Sequence, residues 1–171
     1  MTIIRLEEPG DIDAVRTVND AAFEQPDEGR IVDALRDNCD DVLSLVAVEG
    51  DTVVGHILFS TATIACQGRL VAGMGLAPMA VLPGHQRKGI GTELVEHGLS
   101  VLRAESCPFV IVLGHPEYYP RFGFTPASRH GITCQWQGVP DEAFMALVID
   151  ERAMDGVAGV ALYRDEFDAA M

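Results

Sequence analysis

Between an apolar run and a segment of helical period stands the stretch PGHQRKGIGTEL, residues 83–94. Gln86, Arg87, Lys88, Gly89 and Gly91 fall where a strand should hand over to a helix. Glycine there loses backbone entropy that a plain helix start would keep, so the pattern asks what comes close to the main chain. An anion is the natural guest, because the first amides of a helix lack intrahelical acceptors and the helix dipole favours negative charge. Three phosphate-binding arrangements can be set against the residues. A nucleotide-hydrolase loop, GxxxxGK[ST], finds its glycines in Gly84 and Gly89, but Ile90 and Gly91 stand where lysine and a hydroxyl must be. A dinucleotide fingerprint, GxGxxG, meets Leu94 at its third glycine, and its strand would come much earlier in the chain. What remains is a run of backbone N–H groups from Gln86 through Ile90 to Thr92 at a helix N-terminus. Gly89 and Gly91 would admit a bulky diphosphate, and Arg87 and Lys88 add positive charge. A solvated loop with a glycine entry into a helix has the same composition.

A second cluster is HPEYYPRFGF, residues 115–124. Pro116 suits a first helical position, Pro120 keeps the helix short and Gly123 is expected to end it. Tyr118, Tyr119, Phe122 and Phe124 could be core aromatics. Adjacent helical residues point about 100° apart, however, so neighbouring tyrosines seldom bury together.

Around these clusters the chain alternates strand and helix patterns. IIRL (3–6) reads as a strand, and Pro9 opens a helix with Ile12, Val15, Val18 and Ala22 on one face. Ile31, Val32 and Leu35 mark a second helix at 28–38. Residues 43–49 and 52–65 are β-rich runs joined by a hairpin turn, and a further run covers 71–83. Pro78 cannot donate to a sheet ladder, which predicts a bulge or an edge in that strand. Leu94, Val95, Leu99 and Leu102 give a helix from Gly89 to Arg103, followed by strands at 109–114, 144–150 and 159–163. The order predicts an α/β fold with a mixed sheet and a parallel crossover between 71–83 and 109–114.

At 171 residues with 48% hydrophobic and 22% charged residues, the chain suits one globular domain, 1–171. Cys39, Cys66, Cys107 and Cys134 show no CxxC and no interleaved histidine pair, so neither a metal site nor a redox pair is expected. The N-terminus carries acids where a signal peptide needs an apolar core behind basic residues, and no apolar run reaches membrane-spanning length. A cytoplasmic protein with no membrane partner is expected. A net charge of −14 argues against nucleic acid and favours encounter with cations such as amines. The same acids would also simply keep the protein soluble.

The glycine stretch in its context resembles the acyl-CoA motif of the GNAT superfamily of N-acetyltransferases, Q/R-x-x-G-x-G/A after a strand and opening a helix. In MAVLPGHQRKGIGTELV the matching residues are Gln86, Gly89 and Gly91, and YYPRFGF (118–124) is similar to the family's F-Y-x-x-x-G-F segment after the next strand. The resemblance implies a mixed central β-sheet flanked by helices, with parallel strands splayed around residues 71–83 and 109–114. It implies transfer of an acetyl group from acetyl-CoA, as cosubstrate and without a metal, to a small-molecule or peptide primary amine. The amine would attack directly in a ternary complex. Backbone groups at Met79 and Val81 would then hold the pantetheine or the thioester carbonyl, residues 86–92 the pyrophosphate, and Tyr119 would give a proton to the departing thiolate. Homodimers are common in the family. This chain departs from it in GHPE (114–117), where many relatives carry asparagine, and in GLAPMAV (75–81), which lacks the glutamate some relatives use as base. Glu24, Glu28, His115 and Glu117 are the candidate bases, beside deprotonation through water.

Two other functions fit the same residues: a non-catalytic acyl-CoA-binding sensor or assembly module, and a structural domain whose loop binds nothing. His56 is expected to be satisfied in the core, and His85 and His97 to lie on the surface. Trp136 would line or anchor a substrate entrance, and Arg121 is expected to pair with an acid rather than a cofactor phosphate.

Overall fold

In the computed structural model, which describes residues 1–170, the β-rich runs form one sheet with helices on both faces. Strand β1 (Thr2–Leu6) pairs antiparallel with β2 (Leu43–Glu49), β2 with β3 (Thr52–Cys66), and β3 with β4 (Arg69–Val81). The chain then crosses through helix α3 (Ile90–Ala104) to β5 (Phe109–Leu113), parallel to β4. A tight turn cannot join parallel neighbours, which is why a helix fills this connection. Strands β6 (Thr125–Pro126) and β8 (Phe144–Val148) extend the sheet beyond β5, giving the order β1-β2-β3-β4-β5-β8-β6. The pairing of β2 stops at Phe59 of β3. Strand β9 (Gly159–Leu162) fills the edge beyond, at Thr63 and Ile64, and carries β7 (Ile132–Cys134) parallel to itself.

Helices α1 (Ile12–Phe23) and α2 (Asp27–Asn38) cover one face and α3 the other. Strand β5 shows why its sequence is apolar throughout. Phe109 and Ile111 pack with Val15, Val18 and Leu35, whereas Val110 and Val112 pack with Leu94, Leu99 and Leu102. A strand covered on both faces has no polar side to present.

The central feature is where β4 and β5 part. They pair over Met74–Val110, Gly75–Ile111 and Leu76–Val112. On the other edge Ile57 opposes Met79 and Phe59 opposes Leu76, so Leu58 alone faces Ala77 and Pro78. This is the bulge anticipated at Pro78, which has no N–H to contribute there. Among the described residues β4 has no partner on its β5 side from Ala77 onward. The parallel crossover thus stands where the strand and helix pattern put it, and the splay where the family resemblance implied it.

Several details differ from the sequence reading. Pro9 opens a single 3-10 turn (Pro9–Asp11), and the α-helix starts at Ile12. The aromatic segment forms only one 3-10 turn, Tyr119–Phe122, because Pro120 lies inside it and Gly123, at φ +99°, ends it. Strands β6 and β7, of two and three residues, had no sequence signal.

Candidate active site

One cavity of about 410 Å³ lies over the N-terminus of α3. Met79, Val81, Gln86, Arg87, Gly89, Ile90, Gly91 and Thr92 line it, while Lys88 is exposed outside it. The Gln86 side chain donates from Nε2 to the Val81 carbonyl at 2.9 Å, tying the loop back to the end of β4. Gly89 is the helix N-cap at φ +85°, and a Cβ there would meet nothing within 4 Å. Its glycine is therefore needed for the left-handed turn and not for room. Helix α3 has no side-chain cap among the described residues. Among the described residues the first helix amide with an acceptor is that of Glu93, which donates to the Gly89 carbonyl at 3.1 Å. The amides before it are free for an anion.

The exposed edge of β4 completes this side. Leu82 donates its N–H to the Val54 carbonyl at 2.9 Å. Alternation along a strand then turns Ala80 toward β3, and the backbone groups of Met79 and Val81 toward the gap.

A second cavity, about 360 Å³, opens between the splayed strand ends and the α1–α2 corner. Met79 lines both cavities, so they meet at that residue. Adjacent tyrosines divide between them: Tyr119 lines the second cavity and Tyr118 the first, their rings 5.2 Å apart and nearly perpendicular at 85°. Tyr118 and Thr92 share a hydroxyl–hydroxyl hydrogen bond of 3.0 Å. The Tyr119 ring packs against Gly114 so closely that a Cβ there would stand 2.5 Å from it. Among the described residues the Tyr119 hydroxyl has no hydrogen-bond partner, and burial, reinforced by Tyr118, raises its pKa well above the usual phenol range. Tyr119 is therefore protonated at neutral pH.

Of the four candidate bases, Glu28 and His115 line the second cavity, whereas Glu24 and Glu117 are exposed elsewhere. Trp136 also lines it, stacked on Tyr163 at 5.5 Å and 27°. The expectation for Arg121 needs correction. Among the described residues it pairs with no acid; its guanidinium lies 4.4 Å over the Tyr118 ring, its Nε donates to the Tyr118 carbonyl at 2.9 Å, and it lines the first cavity. His56 is fully buried between Asn19 Nδ2 (3.1 Å) and Ser44 Oγ (2.9 Å), and desolvation, with the Arg36 charge, lowers its pKa to about 3. His85 stands 3.2 Å from Glu49.

Sequence reasoning missed Tyr163 and Phe167, which meet Trp136 in space but have no motif or spacing that links them to it. Among the described residues no three of His, Cys, Asp or Glu gather as metal ligands would, all four cysteines are free, and no helix is long and apolar enough to cross a membrane.

Comparison with known proteins follows the same lines. The model of the acetyltransferase (GNAT) domain matches residues 3–127. The N-acetyltransferase YhbS of Escherichia coli K12 is 32% identical over 167 residues, covering 97% of this chain and 98% of that protein. The N-acetyltransferase YjhQ of the same organism is 37% identical over 125 residues, 72% of this chain and 69% of that protein. The crystal structure of E. coli YhbS in complex with CoA superposes with a TM-score of 0.89 at 32% identity, covering 98% of this chain and 92% of that one. A Brucella melitensis GNAT acetyltransferase in complex with acetyl-CoA gives a TM-score of 0.79 at 35% identity, covering 98% and 99%. With the glycine-opened helix, the splayed strands and this extent of likeness, the chain belongs to the GNAT family of N-acetyltransferases.

Proposed function

We propose that this transferase uses acetyl-CoA, the ligand of its Brucella relative, and passes the acetyl group to a primary amine by direct attack in a ternary complex. The observation that carries this reading is the meeting of two cavities at Met79, beside the unpaired edge of β4. Pyrophosphate would lie on the free amides at the start of α3, with Arg87 and Arg121 beside it and Lys88 adding charge at longer range. Pantetheine would take the place of a strand against Met79 and Val81 and bring the thioester into the gap. An N–H aimed at the thioester carbonyl would stabilise the oxyanion that forms as the amine attacks. The C–N bond forms, the C–S bond breaks, Tyr119 gives its proton to the sulfur, and the proton shed by the acylated nitrogen restores the phenol. The Tyr119 phenol, held protonated by burial, is available as that donor. The amine must arrive as free base, roughly 0.1% of an amine of pKa near 10 at pH 7. His115, at the exposed edge of the acceptor cavity, would take the proton that an arriving ammonium must shed and pass it to solvent. The acceptor cavity alone draws on segments from Phe23 to Phe167, which supports a working unit of the whole chain as one domain.

Calorimetric titration with acetyl-CoA, run beside Gly89→Glu, tests the cofactor. Glutamate would meet a left-handed backbone and put a negative charge where pyrophosphate should lie. Micromolar binding by the natural protein, lost in the variant, is expected. Folded natural protein that binds no acetyl-CoA would end the proposal.

A further inference from the structure

We propose that the acceptor is a primary amine on a flat apolar body, an arylalkylamine in class, selected by an aromatic wall at Trp136, Tyr163 and Phe167 and drawn in by Glu28. This rests on the transferase reading above and concerns the acceptor cavity alone.

The wall comes first. Trp136 stacks on Tyr163, and Tyr163 packs on Phe167 with ring centroids 5.0 Å apart. All three line the cavity, with Phe23 at the end of α1 and Ile31 on α2 adding further apolar surface. The Tyr163 hydroxyl is already committed to the Ile111 carbonyl at 3.4 Å. An aromatic ring offered to this wall gains offset stacking beyond its buried area, whereas a hydroxyl-rich sugar would lose water without gaining partners.

The charge is equally selective. Glu28 is half-buried at the cavity, and Gln25 Nε2 donates to both its oxygens, at 2.9 and 3.2 Å. Among the described residues no Lys, Arg or His stands within ion-pair distance of it. It stands in the first turn of α2, the end of the helix at which the dipole leaves a carboxylate favourably placed. A lone carboxylate beside an apolar cavity suits one ammonium group. A polyamine would bring a second cation for which the lining has no second acid. An amino acid would bring a carboxylate, and no Lys or Arg lines the cavity to receive it. Trp136, Tyr163 and Phe167 all lie beyond residue 127, where the match to the general family domain ends. The aromatic wall thus lies outside the family match, whereas Glu28 lies within it.

The test is steady-state acetyl transfer to phenethylamine, tryptamine, putrescine, spermidine and glycine, with titration of the same amines into the CoA-loaded protein. We expect kcat/KM at least tenfold higher for the two aryl amines. Trp136→Leu should raise their KM about tenfold and leave acetyl-CoA affinity unchanged. Glu28→Gln, which spares the wall, should weaken them several-fold and flatten the salt dependence of KM. Equal or better use of putrescine, spermidine or glycine overturns the proposal. So does an absence of aryl amine binding by protein that still binds acetyl-CoA. Tighter binding of octanoyl-CoA than acetyl-CoA, lost in Trp136→Leu, would instead assign the wall to an acyl chain and also overturn it. Failure to bind acetyl-CoA at all would strike the transferase reading itself.

Discussion

The two cavities that meet at Met79 are built in opposite ways. The cofactor side is largely main chain: a left-handed glycine, the uncapped amides of α3 and the bare edge of β4, most of it within residues 79–92. The acceptor side is side chains from the α1–α2 corner, the ends of β4 and β5, the loop after β7 and the segment after β9. A main-chain site needs a particular local conformation, so its sequence is constrained and contiguous. A side-chain site needs only that its contributors converge, so they can come from segments far apart in the chain.

The strongest way to separate the two sides is Tyr119→Phe. The hydroxyl makes no hydrogen bond among the described residues, so its removal should leave the melting temperature and the acetyl-CoA affinity unchanged. Turnover should fall about a hundredfold, the scale of a lost general acid. An unchanged kcat would leave the cofactor side intact and favour solvent, or another group, as the proton donor. Acetyl-CoA binding with no transfer to any amine, even by the natural protein, would favour the non-catalytic binding module.

Gly114→Val is expected to be next. Its Cβ would press on the Tyr119 ring from 2.5 Å, and displacement of a reacting group by about 1 Å is enough for a large loss of rate. A roughly tenfold drop in kcat with little change in acetyl-CoA affinity is expected, measurable by single-turnover thiol release. A variant that loses acetyl-CoA affinity as well would show that the two sides are not independent.

The same contrast explains what was legible in the sequence. Gln86, Gly89 and Gly91 sit in one turn, and the strand before them and the helix after them have clear periods, so the loop and the crossover could be read directly. The break at Pro78 could be read because proline lacks an N–H. The two-residue β6 and three-residue β7 could not, since alternation needs more residues than they have. Nor could the pairing of β9 with Thr63 and Ile64, nearly one hundred positions away, be read from local pattern. Tyr163 and Phe167 were hidden for that reason: their role depends on where β9 returns. Arg121 was misjudged because the abundance of acids suggested a partner, whereas the fold put the Tyr118 ring beneath it.

A third prediction concerns the anchoring of α1, which carries Phe23 to the acceptor cavity. His56 on β3 is neutral and buried, linking Asn19 of α1 to Ser44 of β2. Its pKa is lowered from 6.5 to about 3, chiefly by burial. Below pH 6.5 the unfolded chain takes up a proton that the folded chain refuses, so stability falls as pH drops from 6.5 toward 3. The slope is roughly 1.4 kcal/mol per pH unit from this group alone, and it is absent above pH 6.5. Denaturant unfolding of the natural protein and His56→Gln at pH 7 and pH 5 reads the difference. The variant should start less stable and lose less on acidification; parallel losses would exclude His56 as the source.

The smallest effect belongs to Lys88. Its neighbours Arg87 and Gly89 face the cofactor cavity, but Lys88 is exposed outside it, so its charge acts through solvent. Lys88→Ala should weaken acetyl-CoA binding about twofold at low salt and not measurably at 0.5 M, with kcat unchanged. Arg87→Ala and Arg121→Ala, which remove guanidinium groups lining the cavity, should exceed it and keep part of their effect in salt. If Lys88→Ala proved as damaging as either, the lysine would have to fold over the pyrophosphate on binding. The cofactor side would then depend on a mobile side chain as well as on its main-chain cradle, and the contrast between the two cavities would be one of degree.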